Sequence, residues 1–105
     1  MAREVIWTES AWTDLEEIAD HIAKDSEYYA AALVQDIRDA SRTLRTLAQR
    51  GRIVPEFRDP LIRELLVGNY RLIYRSGRTA VYLLGVIHGA RDLDALWKRS
   101  RRPKP

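Results

Sequence analysis

Ile62-Arg63-Glu64-Leu65-Leu66-Val67-Gly68-Asn69-Tyr70-Arg71-Leu72-Ile73-Tyr74-Arg75 decides how this chain folds. Two runs rich in β-branched and aromatic residues flank Gly68-Asn69, a two-residue turn that joins antiparallel strands. Alternation along the second run puts Arg71, Ile73 and Arg75 on one side and Tyr70, Leu72 and Tyr74 on the other. Ser76-Gly77-Arg78 turns again into Thr79–His88, expected to be the longest strand. Strict alternation would place Val81, Leu83, Gly85 and Ile87 on one face, and Ala80, Tyr82, Leu84, Val86 and His88 on the other. Both faces are apolar, so this strand belongs in the interior of a sheet.

Upstream, the period changes from two to that of a helix. Glu4–Trp7 reads as a short strand. Thr8 is a suitable N-cap, and Glu9 lies where the helix dipole favours an anion. Ala11, Leu15, Ile18, Ala19 and Ile22 then form one face of an amphipathic helix. Asp25-Ser26 interrupts it, and Ser26 can cap a second helix through Ala30, Leu33, Ile37, Ala40, Leu44 and Leu47. That helix is expected to reach about Gln49, with Gly51 as its C-terminal stop. Pro55 and Pro60 bound an irregular stretch. After Gly89, Asp92–Lys98 can form a short helix. The fold class is α+β with the order β-α-α-β-β-β: an antiparallel sheet packed against a two-helix hairpin, plus a short C-terminal helix. Residues 1–97 read as one domain and 98–105 as a basic, flexible tail.

Composition bounds the function. A chain of 105 residues, 46% apolar, can fill one core. It contains no cysteine, which removes disulfides, thiolate nucleophiles and cysteine-ligated metals. The start lacks the apolar run of a signal peptide, and nothing approaches the ~20 apolar residues of a membrane span. The expectation is a soluble cytoplasmic protein with no membrane contact. The formal charge is +3, but Lys98, Arg99, Arg101, Arg102 and Lys104 carry five positive charges. Removing these leaves residues 1–97 at −2, so the folded body is not basic overall.

Three groups could carry chemistry. Arg63, Tyr70, Arg71, Tyr74 and Arg75 could hold phosphates and stack bases; a sheet with one charged and one tyrosine-rich face would show the same pattern, and the residues alone favour that plainer account. His88 could act as a general acid or base, although a lone histidine at a strand end is more often structural. Glu56, following Pro55, could be a general base or simply a solvated loop charge. Two distant histidines make a zinc site unpromising. There is no glycine-rich phosphate loop, no HExxH and no GxSxG.

The chain also resembles a known family. Val5-Ile6-Trp7-Thr8, Ala11 and Asp14-Leu15 resemble the opening of RelE/ParE-type toxins. So do Gly51-Arg52-Ile53-Val54-Pro55-Glu56, Arg63-Glu64-Leu65, Tyr70-Arg71-Leu72-Ile73-Tyr74-Arg75 and Val86-Ile87-His88-Gly89-Ala90-Arg91-Asp92, in that order over residues 3–95. The resemblance implies the toxin of a type II toxin–antitoxin pair, neutralised by a cognate antitoxin, with operator DNA contacted only through that antitoxin. It implies no cofactor and no metal. The ParE-like branch, which inhibits growth by poisoning DNA gyrase without catalysis, is the favoured reading. The alternative is a ribosome-associated mRNA endonuclease. For a RelE-like site, Arg71 matches the family arginine, but Ile62 and Glu64 stand where lysines are expected and Ala95 where a tyrosine is. For a YoeB-like site, Glu56, Arg71 and His88 stand in order as base, phosphate holder and acid. Arg63, Tyr70, Tyr74, Arg75, Arg91 and Trp97 are the expected contacts to target or antitoxin.

Overall fold

The computed structural model describes residues 2–89. The element order is β1 (Glu4–Trp7), α1 (Glu9–Ala23), α2 (Glu27–Thr43), β2 (Arg52–Ile53), β3 (Ile62–Val67), β4 (Tyr70–Ser76) and β5 (Ala80–His88). The expected C-terminal helix, the basic tail, Arg91 and Trp97 lie outside the described residues.

Both helix starts follow their caps. The Thr8 hydroxyl accepts from Ala11 N–H and the Ser26 hydroxyl from Tyr29 N–H, each at 3.2 Å. The second helix ends earlier than its apolar spacing suggests. It stops at Thr43, and Leu44 and Ala48 reach the core from the irregular segment that follows. Gly51 is therefore not a helix stop. It is needed for close approach: a Cβ there would lie 2.5 Å from the Glu64 carbonyl oxygen and 2.6 Å from the Tyr74 hydroxyl.

The five strands form one sheet in the order β1-β5-β4-β3-β2. The β3–β4 hairpin turns at Gly68, whose φ of 59° suits a residue without a Cβ. β5 is interior, as its two apolar faces require. The sheet is mixed rather than wholly antiparallel, because β1 pairs with β5 in parallel, Glu4 opposite Ala80 through Trp7 opposite Leu83. The helices carry the chain across one face from β1 at one edge of the sheet to β2 at the other. Beyond Leu83, the helical layer supplies a partner that β1 no longer can: Val86 N–H donates to Asp14 Oδ2 at 3.0 Å.

Strict alternation fails in β5. Ile73 pairs with Gly85 and Tyr74 with Leu83, so Leu84 is skipped in the register with β4. A bulge of this kind changes which residues share a face. Val81, Leu83 and Val86 consequently pack with Ala11, Leu15, Ile37, Leu72 and Tyr74 in the main core. Leu84 and Ile87 pack on the other side against Val54, Phe57, Ile62 and Ile73, a second small core beneath the 54–61 segment.

Tyr74 joins these layers. It is fully buried; its hydroxyl donates to the Ala48 carbonyl at 2.9 Å and accepts Gly51 N–H at 2.8 Å. Tyr74→Phe keeps the ring but strands both backbone groups. A stability loss of about 1–3 kcal/mol should appear in urea denaturation. Burial also raises the Tyr74 hydroxyl above its ordinary pKa. The folded state thus holds the proton more tightly than the unfolded chain, whose tyrosine titrates near pH ~10. This contribution is complete below that pH and should decline as pH rises through and above it. The slope should be smaller in Tyr74→Phe, and an unchanged alkaline slope would contradict the assignment.

Candidate functional site

The face of the sheet away from the helices is only partly covered. The 54–61 segment lies over one part of it. Beside that cover runs an open groove of about 650 Å³, lined by Arg52, Pro55, Glu56, Leu66, Gly68, Asn69, Arg71, His88 and Gly89. All three residues of the YoeB-like set therefore border one groove.

Its floor is built by register. Glu64 lies opposite Arg52 on β2 and opposite Ile73 on β4. Arg71, two positions before Ile73, is the diagonal neighbour on the same face. Arg71 Nε donates to Glu64 Oε1 at 2.5 Å, and Arg52 Nε donates to Glu64 Oε2. The Glu64 side chain is fully buried and that of Arg71 is 7% exposed, whereas that of Arg52 is 67% exposed. One carboxylate is thus shared by two guanidiniums, one per oxygen. Such charge-assisted bonds offset the desolvation of the buried members.

Glu56 and His88 are held less closely. Glu56 Oε1 stands 3.9 Å from Arg71 Nη2, beyond hydrogen-bond range, and its side chain is half exposed. The β4–β5 register pairs Tyr70 with His88 and Arg71 with Ile87. The His88 ring packs edge-to-face on Tyr70, with centroids 5.0 Å apart. Its imidazole therefore leaves the strand on the tyrosine side, opposite to the side from which Arg71 projects.

The remaining expected contact residues separate into roles. Arg63 turns to the helix side, where Nη1 donates to the carbonyls of Gln49 at 3.2 Å and Gly51 at 2.7 Å. Tyr74 is buried behind the surface and cannot itself form a contact there. Arg75 is exposed and pairs with Asp59 at 3.2 Å. Tyr70 is half-buried against His88. Two participants escaped the sequence reading. Arg52 becomes relevant only through β2, a strand of two residues that carries no periodicity of its own. Leu66, 66% exposed, lies on the groove wall.

Charge is divided between the layers. Residues 8–45 carry nine acids and four bases; residues 46–89 carry seven arginines and three acids. Five of those seven, Arg50, Arg52, Arg63, Arg71 and Arg75, engage partners within the chain. Among the described residues no group of three or more histidines, cysteines or carboxylates could hold a metal ion, and no helix is long and apolar enough to cross a membrane.

A family profile described as the ParE toxin of type II toxin–antitoxin systems, parDE, matches residues 5–93. The chain belongs to the ParE toxin family. It is thus the toxin component of a type II toxin–antitoxin system. A chain of the chromosomal ParDE system from P. aeruginosa has the same fold, with a TM-score of 0.70 at 24% identity, covering 84% of this chain and 97% of that one. No curated protein matches significantly.

In this ParE toxin the two arginines of the groove floor depend on one carboxylate to different degrees, because Arg71 is buried and Arg52 is not. Glu64→Ala would leave the Arg71 guanidinium buried without its close partner, and should cost about 3–5 kcal/mol. Arg52→Ala removes a mostly exposed side chain and should cost under ~1 kcal/mol. Urea midpoints of the two variants test the contrast; equal losses would show that Glu64 is not the anchor.

Proposed function

We propose that this toxin inhibits growth by binding DNA gyrase, without chemistry of its own, and that a cognate antitoxin neutralises it. The observation that carries the non-catalytic part is the commitment of Arg71 to Glu64. A nuclease needs a cation free to meet the charge that develops on phosphate in the transition state. Here that guanidinium already faces a buried carboxylate. Membership of the ParE toxin family supports the gyrase target, and the internal engagement of five arginines weakens the case for a polyanion-binding surface.

The antitoxin reading draws on the surface. The groove combines an exposed leucine with backbone turns and a solvent-facing arginine, a combination suited to an extended partner segment that folds on binding. Operator DNA would be met only through that partner.

A second reading has one observation in its favour: Glu56, Arg71 and His88 border the same groove. In that mechanism Glu56 would take the proton of a ribose 2′-hydroxyl, Arg71 would steady the phosphate, and His88 would protonate the leaving oxygen. The 3.9 Å gap between Glu56 and Arg71 and the contact of His88 with Tyr70 leave this set loosely assembled, so it ranks second.

The two readings separate in one set of assays. Purified protein should inhibit supercoiling by gyrase, while Glu56→Ala and His88→Ala should slow growth as strongly as the unaltered toxin. Primer extension on translated mRNA should show no new 5′ ends. Unchanged supercoiling at saturating toxin, with new mRNA ends that the two substitutions abolish, would replace the first reading by the second.

A further inference from the structure

Two arginines from non-adjacent strands converge on the two oxygens of one carboxylate. Arg52 reaches it from β2 and Arg71 from β4, and Glu64 lies on the strand between. Guanidiniums arranged in this way are suited to an oxyanion, whether carboxylate or phosphate, because each offers directed N–H donors to a separate oxygen. The floor opens on a groove of about 650 Å³ walled in part by Gly68, Asn69 and Gly89, and the two glycines let a ligand approach the backbone. The seat is therefore shaped for an anion and already contains one.

We propose that Glu64 is a built-in anion: it fills a two-arginine oxyanion seat and thereby keeps phosphate esters out of the groove. This rests on the non-nucleolytic reading above and gives it a residue. Geometry and electrostatics act together. The Glu64 side chain is fully buried, so its charge is poorly screened by solvent. An incoming phosphate would have to displace it or lie beside it. Glu56, at the groove margin, adds a second negative charge on the approach. Glu64 thus sets which ligands the groove admits, although it need touch none of them.

Glu64→Gln is the decisive change, because it keeps the shape and one acceptor oxygen while removing the charge. The probe is inorganic phosphate, titrated into the full chain and followed through the arginine Nε–Hε signals by NMR. The unaltered toxin should show no saturable shift of the Arg71 signal. Glu64→Gln should bind phosphate at least tenfold more tightly, with that signal moving, and adding Arg52→Ala should reverse much of the gain. A folded Glu64→Gln chain with no gain would overturn the proposal. So would saturable phosphate binding at Arg71 in the unaltered toxin, a measurement that stands even if the variant does not fold. Gyrase supercoiling is measured on the same preparations. A gain of phosphate binding with no inhibition of gyrase by the unaltered toxin would keep the role of Glu64 and remove the target assigned above; RNA cleavage by the unaltered toxin would remove both.

Discussion

The Tyr74 hydroxyl is the point from which the open face of this molecule is organised. It satisfies the Ala48 carbonyl and Gly51 N–H together, and so fixes the chain as it leaves the helical layer. Gly51 can approach that closely only because it has no Cβ. The next residue, Arg52, then enters the sheet opposite Glu64. From there the order of cause runs outward: Arg52 and Arg71 close on Glu64, and the groove takes its floor. A buried phenol on the helix side thus holds the stretch of chain that brings an arginine to the opposite side.

The two faces of the sheet are kept distinct by one irregularity. The skipped Leu84 lets β5 give Val81, Leu83 and Val86 to the helices while Leu84 and Ile87 serve the smaller core. A regular strand would have turned Val86 away from the helices. The family assignment accords with this design, since the whole of the matched region, residues 5–93, includes both layers and the groove.

Much of the fold was legible because its signals are local. Caps at Thr8 and Ser26, the turn at Gly68-Asn69 and the switch of hydrophobic period each act over a few residues. The end of the second helix was not legible, because Leu44 and Leu47 continue the apolar spacing after the helical hydrogen bonds stop. Leu44 is buried from outside the helix, and Leu47 is exposed. The bulge was hidden because alternation is inferred from one strand, whereas a bulge is a relation between two. At the site, Glu56, Arg71 and His88 were found as residue types. What the sequence could not express is that Glu64, two residues into a strand, would be drawn between arginines separated from it by 12 and 7 positions. The burial of Tyr74 and the bonds of Arg63 to the Gln49 and Gly51 carbonyls were not legible either, since burial and long-range hydrogen bonding depend on the assembled core.

The parallel pairing of β1 with β5 has a consequence in time as well as space. Residues 4–7 find their sheet partner only at residues 80–83. A chain emerging from the ribosome can make its helical hairpin early, yet its first strand has no neighbour until nearly all of the described domain has been synthesised. Contacts so far apart in sequence slow folding, because a long loop must close before any pairing rewards it. A growing toxin therefore cannot complete its sheet until β5 has been made, and that strand admits the first.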